Sequence, residues 1–186
     1  MKRILVLIVT MALGSEALSF AQKFSISTDL LGYACLGTMN ADMSLAVSRK
    51  WSLTLGARYN PFTFNKGDTA AQFQLRQRSG SLGVRLWPWH TGSGWWLAGK
   101  VRYQEYNMGG ILSPEVREGE RYGAGLYAGY THMLSSHFNL EFGAGLWGGM
   151  DDFNRYSCGV CGVTLESGRG PFVLPDDIMV SLVYVF

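Results

Sequence analysis

The chain has 186 residues, with 16 lysines and arginines against 14 acids and a formal net charge of +2. That near balance, without any run of basic residues, excludes an electrostatic footprint for nucleic acid. Glycine numbers 24 and aromatics make up 13%, a composition that weakens helices and suits bent strands.

Lys2 and Arg3 precede an apolar run from Ile4 to Leu13, and Ser19-Phe20-Ala21 follows a little later. A basic start, a short apolar stretch and small residues in that order read as a secretory signal peptide over residues 1–21, cleaved after Ala21. The apolar run is too short for a membrane helix of about 20 residues. No cysteine sits at the junction, so no lipid anchor is expected, and residues 22–186 are expected to form one domain.

Eight segments then alternate at period two, the signature of strands with unlike faces. The first runs near Phe24 to Tyr33 and the second near Asn40 to Ser48. After the turn Arg49-Lys50, the third puts Trp51, Leu53, Leu55, Ala57 and Tyr59 on one face and Ser52, Thr54, Gly56, Arg58 and Asn60 on the other. A connection from Pro61 to about Gln77 leads to a fourth strand near Arg78 to Pro88. A turn at His90 to Gly94 joins it to a fifth, near Trp95 to Met108. After a loop from Gly109 to Glu120, the sixth carries Tyr122, Ala124, Leu126, Ala128 and Tyr130 on its apolar face. The turn Leu134 to His137 precedes the seventh, with Phe138, Leu140, Phe142, Ala144 and Leu146. The longest loop is expected from Gly149 to Pro175. The last strand, Asp177 to Phe186, alternates Ile178, Val180, Leu182, Tyr184 and Phe186.

Long and short connections alternate, and the final strand closes on an aromatic residue. Both predict an all-β, eight-stranded, antiparallel up-and-down transmembrane β-barrel with long extracellular loops and both termini periplasmic. Leu182, Tyr184 and Phe186 form the expected C-terminal signal for the barrel assembly machinery. A soluble ligand-binding barrel would share the strand count but turn its apolar side chains inward.

The opposite parity carries the charges Asp29, Asp42, Arg58, Arg85, Lys100, Arg102, Arg121 and Glu141. These are expected to pair across the lumen, since charges facing lipid are costly and buried ions need partners. Eight strands leave room only for side chains, so the network plugs the barrel and a wide diffusion channel is not expected. Trp51, Trp87, Trp89, Trp95 and Trp96 fall beside short turns and predict a periplasmic aromatic girdle. Trp147, Tyr59, Phe62, Phe64, Tyr103 and Tyr106 are expected toward the outer end.

Cys35 follows the first strand, and Cys158 and Cys161 lie in the last loop; these loops are neighbours once the last strand pairs with the first. The three are disulfide candidates within or between the loops. Free thiols in a reducing niche are the second reading. A metal site on Cys35, Cys158 and Cys161 is the third, although a structural zinc site takes four ligands.

No catalytic or cofactor-binding residue is expected. His132, Ser135, Ser136 and His137 offer a base and nucleophiles, but they occupy a predicted periplasmic turn, away from the outer leaflet. Asp151 and Asp152 read as solvated residues at a strand end. No phosphate-cradling loop or dinucleotide fingerprint is present, and Gly123-Ala-Gly125 and Gly143-Ala-Gly145 read as strand positions that make lumen space.

Several segments taken together resemble a known family. They are Trp51-Ser-Leu, Tyr59-Asn-Pro-Phe-Thr-Phe64, Met108-Gly-Gly-Ile111, Asn139-Leu-Glu141, Arg155-Tyr-Ser-Cys-Gly-Val-Cys-Gly162 and Ser181-Leu-Val-Tyr184. The family is the Bacteroidetes domain of unknown function 3575. The resemblance implies a small outer-membrane protein with no established activity, whose relatives often sit beside genes for fimbria assembly. The expected function is therefore a monomeric, non-catalytic barrel that acts through its extracellular loops as an accessory or adapter for a surface, possibly fimbrial, or envelope assembly. A purely structural barrel and an outer-membrane lipid-modifying acyl hydrolase or transferase are the alternatives.

Overall fold

The computed structural model describes residues 24–65, 72–110, 114–159 and 163–186; the signal-peptide reading of residues 1–21 lies outside them. In chain order the elements are β1 (Phe24–Asp29), α1 (Leu30–Ala34), β2 (Met39–Ala46), β3 (Trp51–Asn60), β4 (Thr63–Phe64) and β5 (Phe73–Leu86). There follow β6 (Gly94–Gly109), β7 (Val116–Met133), β8 (Phe138–Tyr156) and β9 (Thr164–Val185). Every pairing is antiparallel, β3 pairs with β5 and β1 with β9, so eight strands close into a barrel. The ninth, two-residue β4 is an appendage that pairs Thr63 with Gln74.

Alternation sets the faces as expected on β3, where Ser52, Thr54 and Gly56 are buried while Trp51, Leu53 and Leu55 are exposed. The same phase leaves Leu82, Val101, Leu126 and Leu146 exposed on β5, β6, β7 and β8. The core is the lumen, where Trp87, Trp96, Ala98, Tyr127, Trp147 and Met179 form one cluster. Close packing there requires glycine. A Cβ on Gly143 would meet the Trp96 ring at 3.0 Å, and one on Gly125 would meet the Tyr127 hydroxyl at 2.6 Å. These glycines do make space for the lumen aromatics.

Four expected strand bounds need correction. The first strand ends at Asp29, not Tyr33, because Asp29 caps α1, accepting from the Leu31 N–H at 3.1 Å. The fourth predicted strand, β5, begins five positions early at Phe73. The sixth, β7, begins at Val116 inside the expected loop. Most of the expected last loop is strand: β8 runs on to Tyr156 and β9 starts at Thr164, registered against each other from Arg155↔Glu166 to Gly145↔Asp176. Fewer of the tryptophans expected to form an outward aromatic ring face outward. Trp51, Trp89 and Trp95 are exposed, but Trp87 and Trp96 are 2% and 1% exposed in the lumen. Trp147 and Tyr106 likewise point inward, and are buried.

One seam is short. β1 pairs with β9 only from Ser25↔Val185 to Asp29↔Ser181. Beyond it the Asp29 carboxylate accepts the Val180 N–H at 3.1 Å, and α1 packs against β9 in place of a strand. From Thr164 to Val180, β9 therefore pairs with β8 alone among the described strands.

Candidate functional site

The lumen charges are arranged in three tiers, each built on one acid, of which Glu141 and Asp151 are buried and Asp176 is partly buried. Nearest the short turns, Arg85 Nη1 donates to both Glu141 oxygens at 3.0 and 2.9 Å, and Thr131 Oγ1 donates to the same carboxylate at 3.0 Å. The Arg85 guanidinium lies 4.4 Å from the Trp96 ring centre, a cation–π contact. Trp87 donates through Nε1 to Ser52 Oγ at 3.0 Å.

The middle tier centres on Asp176. It pairs with Arg102, lies 3.8 Å from Arg58, and accepts from the Tyr127 hydroxyl at 3.1 Å. Lys100 Nζ stands 4.5 Å over the Tyr127 ring, and Arg102 lies 5.1 Å from that of Trp147. In the upper tier, Asp151 is 2% exposed. It accepts from the Tyr106 hydroxyl at 2.7 Å and from Arg121 Nε at 3.0 Å, and pairs with Arg117 at 3.1 Å. Each carboxylate thus has several charged or hydroxyl donors, which is what makes an ion tolerable away from water. The tiers bolt opposite walls together and fill the lumen.

The predicted network residues Arg58, Arg85, Lys100, Arg102, Arg121 and Glu141 fall in these tiers. Asp42 is half-buried on the lumen face opposite Gly56. Asp29 belongs instead to the short seam, as the α1 cap and the acceptor for Val180. Asp151 and Asp176 were missed, and Asp151 is a buried hub where a solvated residue was expected; only Asp152 is exposed. Charge balance is the signal for them. The predicted set holds five cations and three acids, and a low-dielectric lumen calls for further acids of matching parity.

At the long-hairpin end a cavity of ≈ 730 Å³ opens among the ends of β3 and β5 and the upper parts of β6 to β9. Its lining includes Arg76, Arg78, Glu105, Glu118, Glu120, Asp152, Asn107, Asn154, Tyr59 and Phe153. Arg78, Glu105, Glu120, Asp152 and Arg169 stand side by side in the register, one row above the Tyr103 and Tyr122 row on the outer face. Arg78 Nε donates to Glu105 at 2.6 Å, and that hydrogen bond holds the Glu105 carboxyl below its ordinary value. Glu118 accepts from Asn107 at 2.9 Å and from the Tyr156 hydroxyl at 2.7 Å.

Cys158 is disulfide-bonded, Cys35 is a free, exposed thiol, and Cys161 lies outside the described residues. Among the described residues no group of three histidine, cysteine or acidic side chains is placed to hold a metal. In the turn before β8, Ser135 Oγ accepts from the Phe138 N–H at 3.1 Å, and His137 Nδ1 lies 3.1 Å from the Val185 carbonyl. Both side chains thereby brace the turn. The terminal residues Leu182, Tyr184 and Phe186 point outward, and the Phe186 N–H donates to the Phe24 carbonyl at 3.0 Å.

Comparison with known proteins gives one family: the model described as protein of unknown function, DUF3575, matches residues 4–186. No curated protein matches the chain.

Proposed function

The chain belongs to the DUF3575 family, and from that premise we propose that it is a non-catalytic outer-membrane barrel that holds a surface partner through the sheet and cavity rising above its closed wall. The observation that carries this reading is the polarity of the wall, apolar outside and ionic inside. Trp51 and Tyr59 on β3, Trp95 and Tyr103 on β6, and Tyr130 and Tyr122 on β7 bracket apolar stretches of equal length. At about 3.3 Å per residue and a tilt of about 40° each stretch rises roughly 20 Å, close to the ~25 Å apolar band of such barrels.

Charges begin in the row above Tyr103 and Tyr122, where lipid headgroups end and water begins. The plugged lumen leaves no wide aqueous path, so a role as a diffusion channel has nothing to support it. The extended sheet from β5 to β9 instead presents arginines, carboxylates and amides around a cavity, a surface suited to a protein or glycan of the envelope. An adapter for a fimbrial or other surface assembly is the form of this function that the family resemblance favours.

The test has two parts. Protein extracted from outer membranes should migrate faster unboiled than boiled on a cold detergent gel; equal mobility counts against a membrane barrel. Affinity purification in mild detergent should then recover a stoichiometric envelope protein, whereas a lone barrel would move the reading to a bracing role.

A further inference from the structure

The open side of β9 offers something that no other described barrel strand does. On β5, the upper edge is taken by β3 and β4; on β9, Val163 to Arg169 are all exposed and no described strand lies beyond them. An unpaired strand edge is a row of backbone donors and acceptors, and such edges recruit other strands unless they are blocked.

Part of this edge is blocked. Pro171 and Pro175 sit within the ladder to β8, opposite Met150 and Leu146. A proline nitrogen is tolerated in a ladder only where it faces away from the neighbouring strand. Residues of that phase therefore turn their backbone groups to the open side, and two of them have lost the donor. Ser167 and Arg169 share the phase and keep theirs. The edge is closed to pairing from Pro171 toward the membrane and open from Thr164 to Gly170, above the girdle row that Pro171 shares with Tyr103 and Tyr122.

We propose that Thr164 to Gly170 of β9 is a strand-addition site that takes an extended segment of a different protein. The proposal deepens the surface-partner reading above and rests on it. The side chains beside the edge specify the segment. On the inner face, a Cβ on Gly170 would meet nothing within 4 Å, and one on Gly168 would touch only the Phe153 ring, at 3.5 Å. That bare strip accepts a bulky apolar residue laid across the glycines, a known way of stabilising glycine in edge strands. On the outer face Arg169 ion-pairs with Asp152 at 3.3 Å and donates to the Tyr122 hydroxyl, yet its side chain stays 57% exposed and can take a second acid directly opposite. The segment is therefore extended, with aromatic or large aliphatic residues on one face and an acid on the other.

A second copy of the chain does not fit. Antiparallel pairing of two β9 edges places the two-fold axis along the sheet normal, in the membrane plane, so one barrel would have to lie upside down.

The experiment uses the full-length protein in detergent and three short labelled peptides: one alternating phenylalanine with aspartate and threonine, a scramble of it, and a copy N-methylated at alternate residues. Binding is followed by fluorescence anisotropy. The alternating peptide should bind, and the N-methylated copy should bind about tenfold more weakly or not at all, because it lacks the donors that reach the edge. Ser167→Pro together with Arg169→Pro should produce a similar loss while the protein still shows a heat-dependent gel shift. Failure to bind, equal binding of the scramble or the N-methylated copy, or binding that survives both prolines overturns the proposal. Survival of binding in the proline variant leaves the surface-partner reading standing on the cavity. Edge-dependent binding by a protein that comes alone from native membranes supports the edge and removes that reading.

Discussion

Below the row of Tyr103 and Tyr122, the outer face is apolar and the lumen face holds the ion pairs and aromatics; above it, charged side chains stand on both faces. On β8 the lower part reads Phe138, Leu140, Phe142 and Leu146 outward against Asn139 and Glu141 inward, whereas the upper part reads Asp152 and Asn154 outward against Asp151 and Arg155 inward. The backbone ladder to β7 runs through both without a break, from Met133↔Asn139 to Val116↔Tyr156. Strand geometry and side-chain alternation are therefore separable. Hydrogen bonding between neighbours makes the strand, and alternation appears only where the two faces meet different media.

The sharpest way to break this comparison is to disturb the lower lumen. Glu141→Ala leaves Arg85 buried without its carboxylate and is expected to destabilise the barrel by about 3–5 kcal/mol, read as a lower gel-shift transition temperature. Leu55→Arg, on the apolar outer band, should cost roughly 2–4 kcal/mol, while Asn154→Arg on the same outward phase above the girdle should stay within about 0.5 kcal/mol. Equal penalties at those two sites would erase the distinction between the regions. Arg155 pairs with Glu166 at 2.9 Å, but both side chains are about half exposed, so Arg155→Ala should cost no more than about 1 kcal/mol.

The smallest effect concerns pH. Glu105 lies one outward row above Tyr103, and Arg78 lowers its pKa from the ordinary 4.5. A lowered acid contributes stability that is present above its unfolded value and is lost as pH falls through the folded one. Hydrogen-exchange protection at the upper ends of β5 and β6, taken relative to the intrinsic rate at each pH, should therefore fall only as the pH drops below about 4.5, with the lower barrel unaffected. Loosening that begins near neutrality would point to another group.

The same contrast explains what could be read beforehand. The bounds of β3 were legible because Trp51 to Asn60 alternate without exception between lipid-like and lumen-like positions. The eight-strand count and the inward placement of Arg85, Arg102 and Glu141 followed from the same rule. The β8–β9 hairpin was not legible because Asp151 to Arg155 and Glu166 to Arg169 are polar on both faces, which is also how a loop reads. Asp151, one of the three acids on which the lumen tiers are built, lies in that stretch, and Asp176, another, falls between the expected loop and the expected last strand, at the register shift opposite Gly145. Trp96 and Trp147 differ from expectation for another reason: they stand near strand ends, but parity decides which way a side chain points, and theirs turns them into the lumen.

The five-pair seam between β1 and β9 bears on how the molecule is built. Seven of the eight barrel contacts join strands adjacent in sequence and can form as hairpins soon after their residues are available, but Ser25 must wait for Val185. That ring-closing contact has the largest sequence separation in the fold and few registered pairs, five against the eighteen of β7 and β8. Its entropic cost comes late and is repaid little. Until the seam zips, the curled sheet has two raw margins that can capture foreign chains, so the time from translation to closure, more than the stability of the finished cylinder, sets how much of this protein is lost to aggregation.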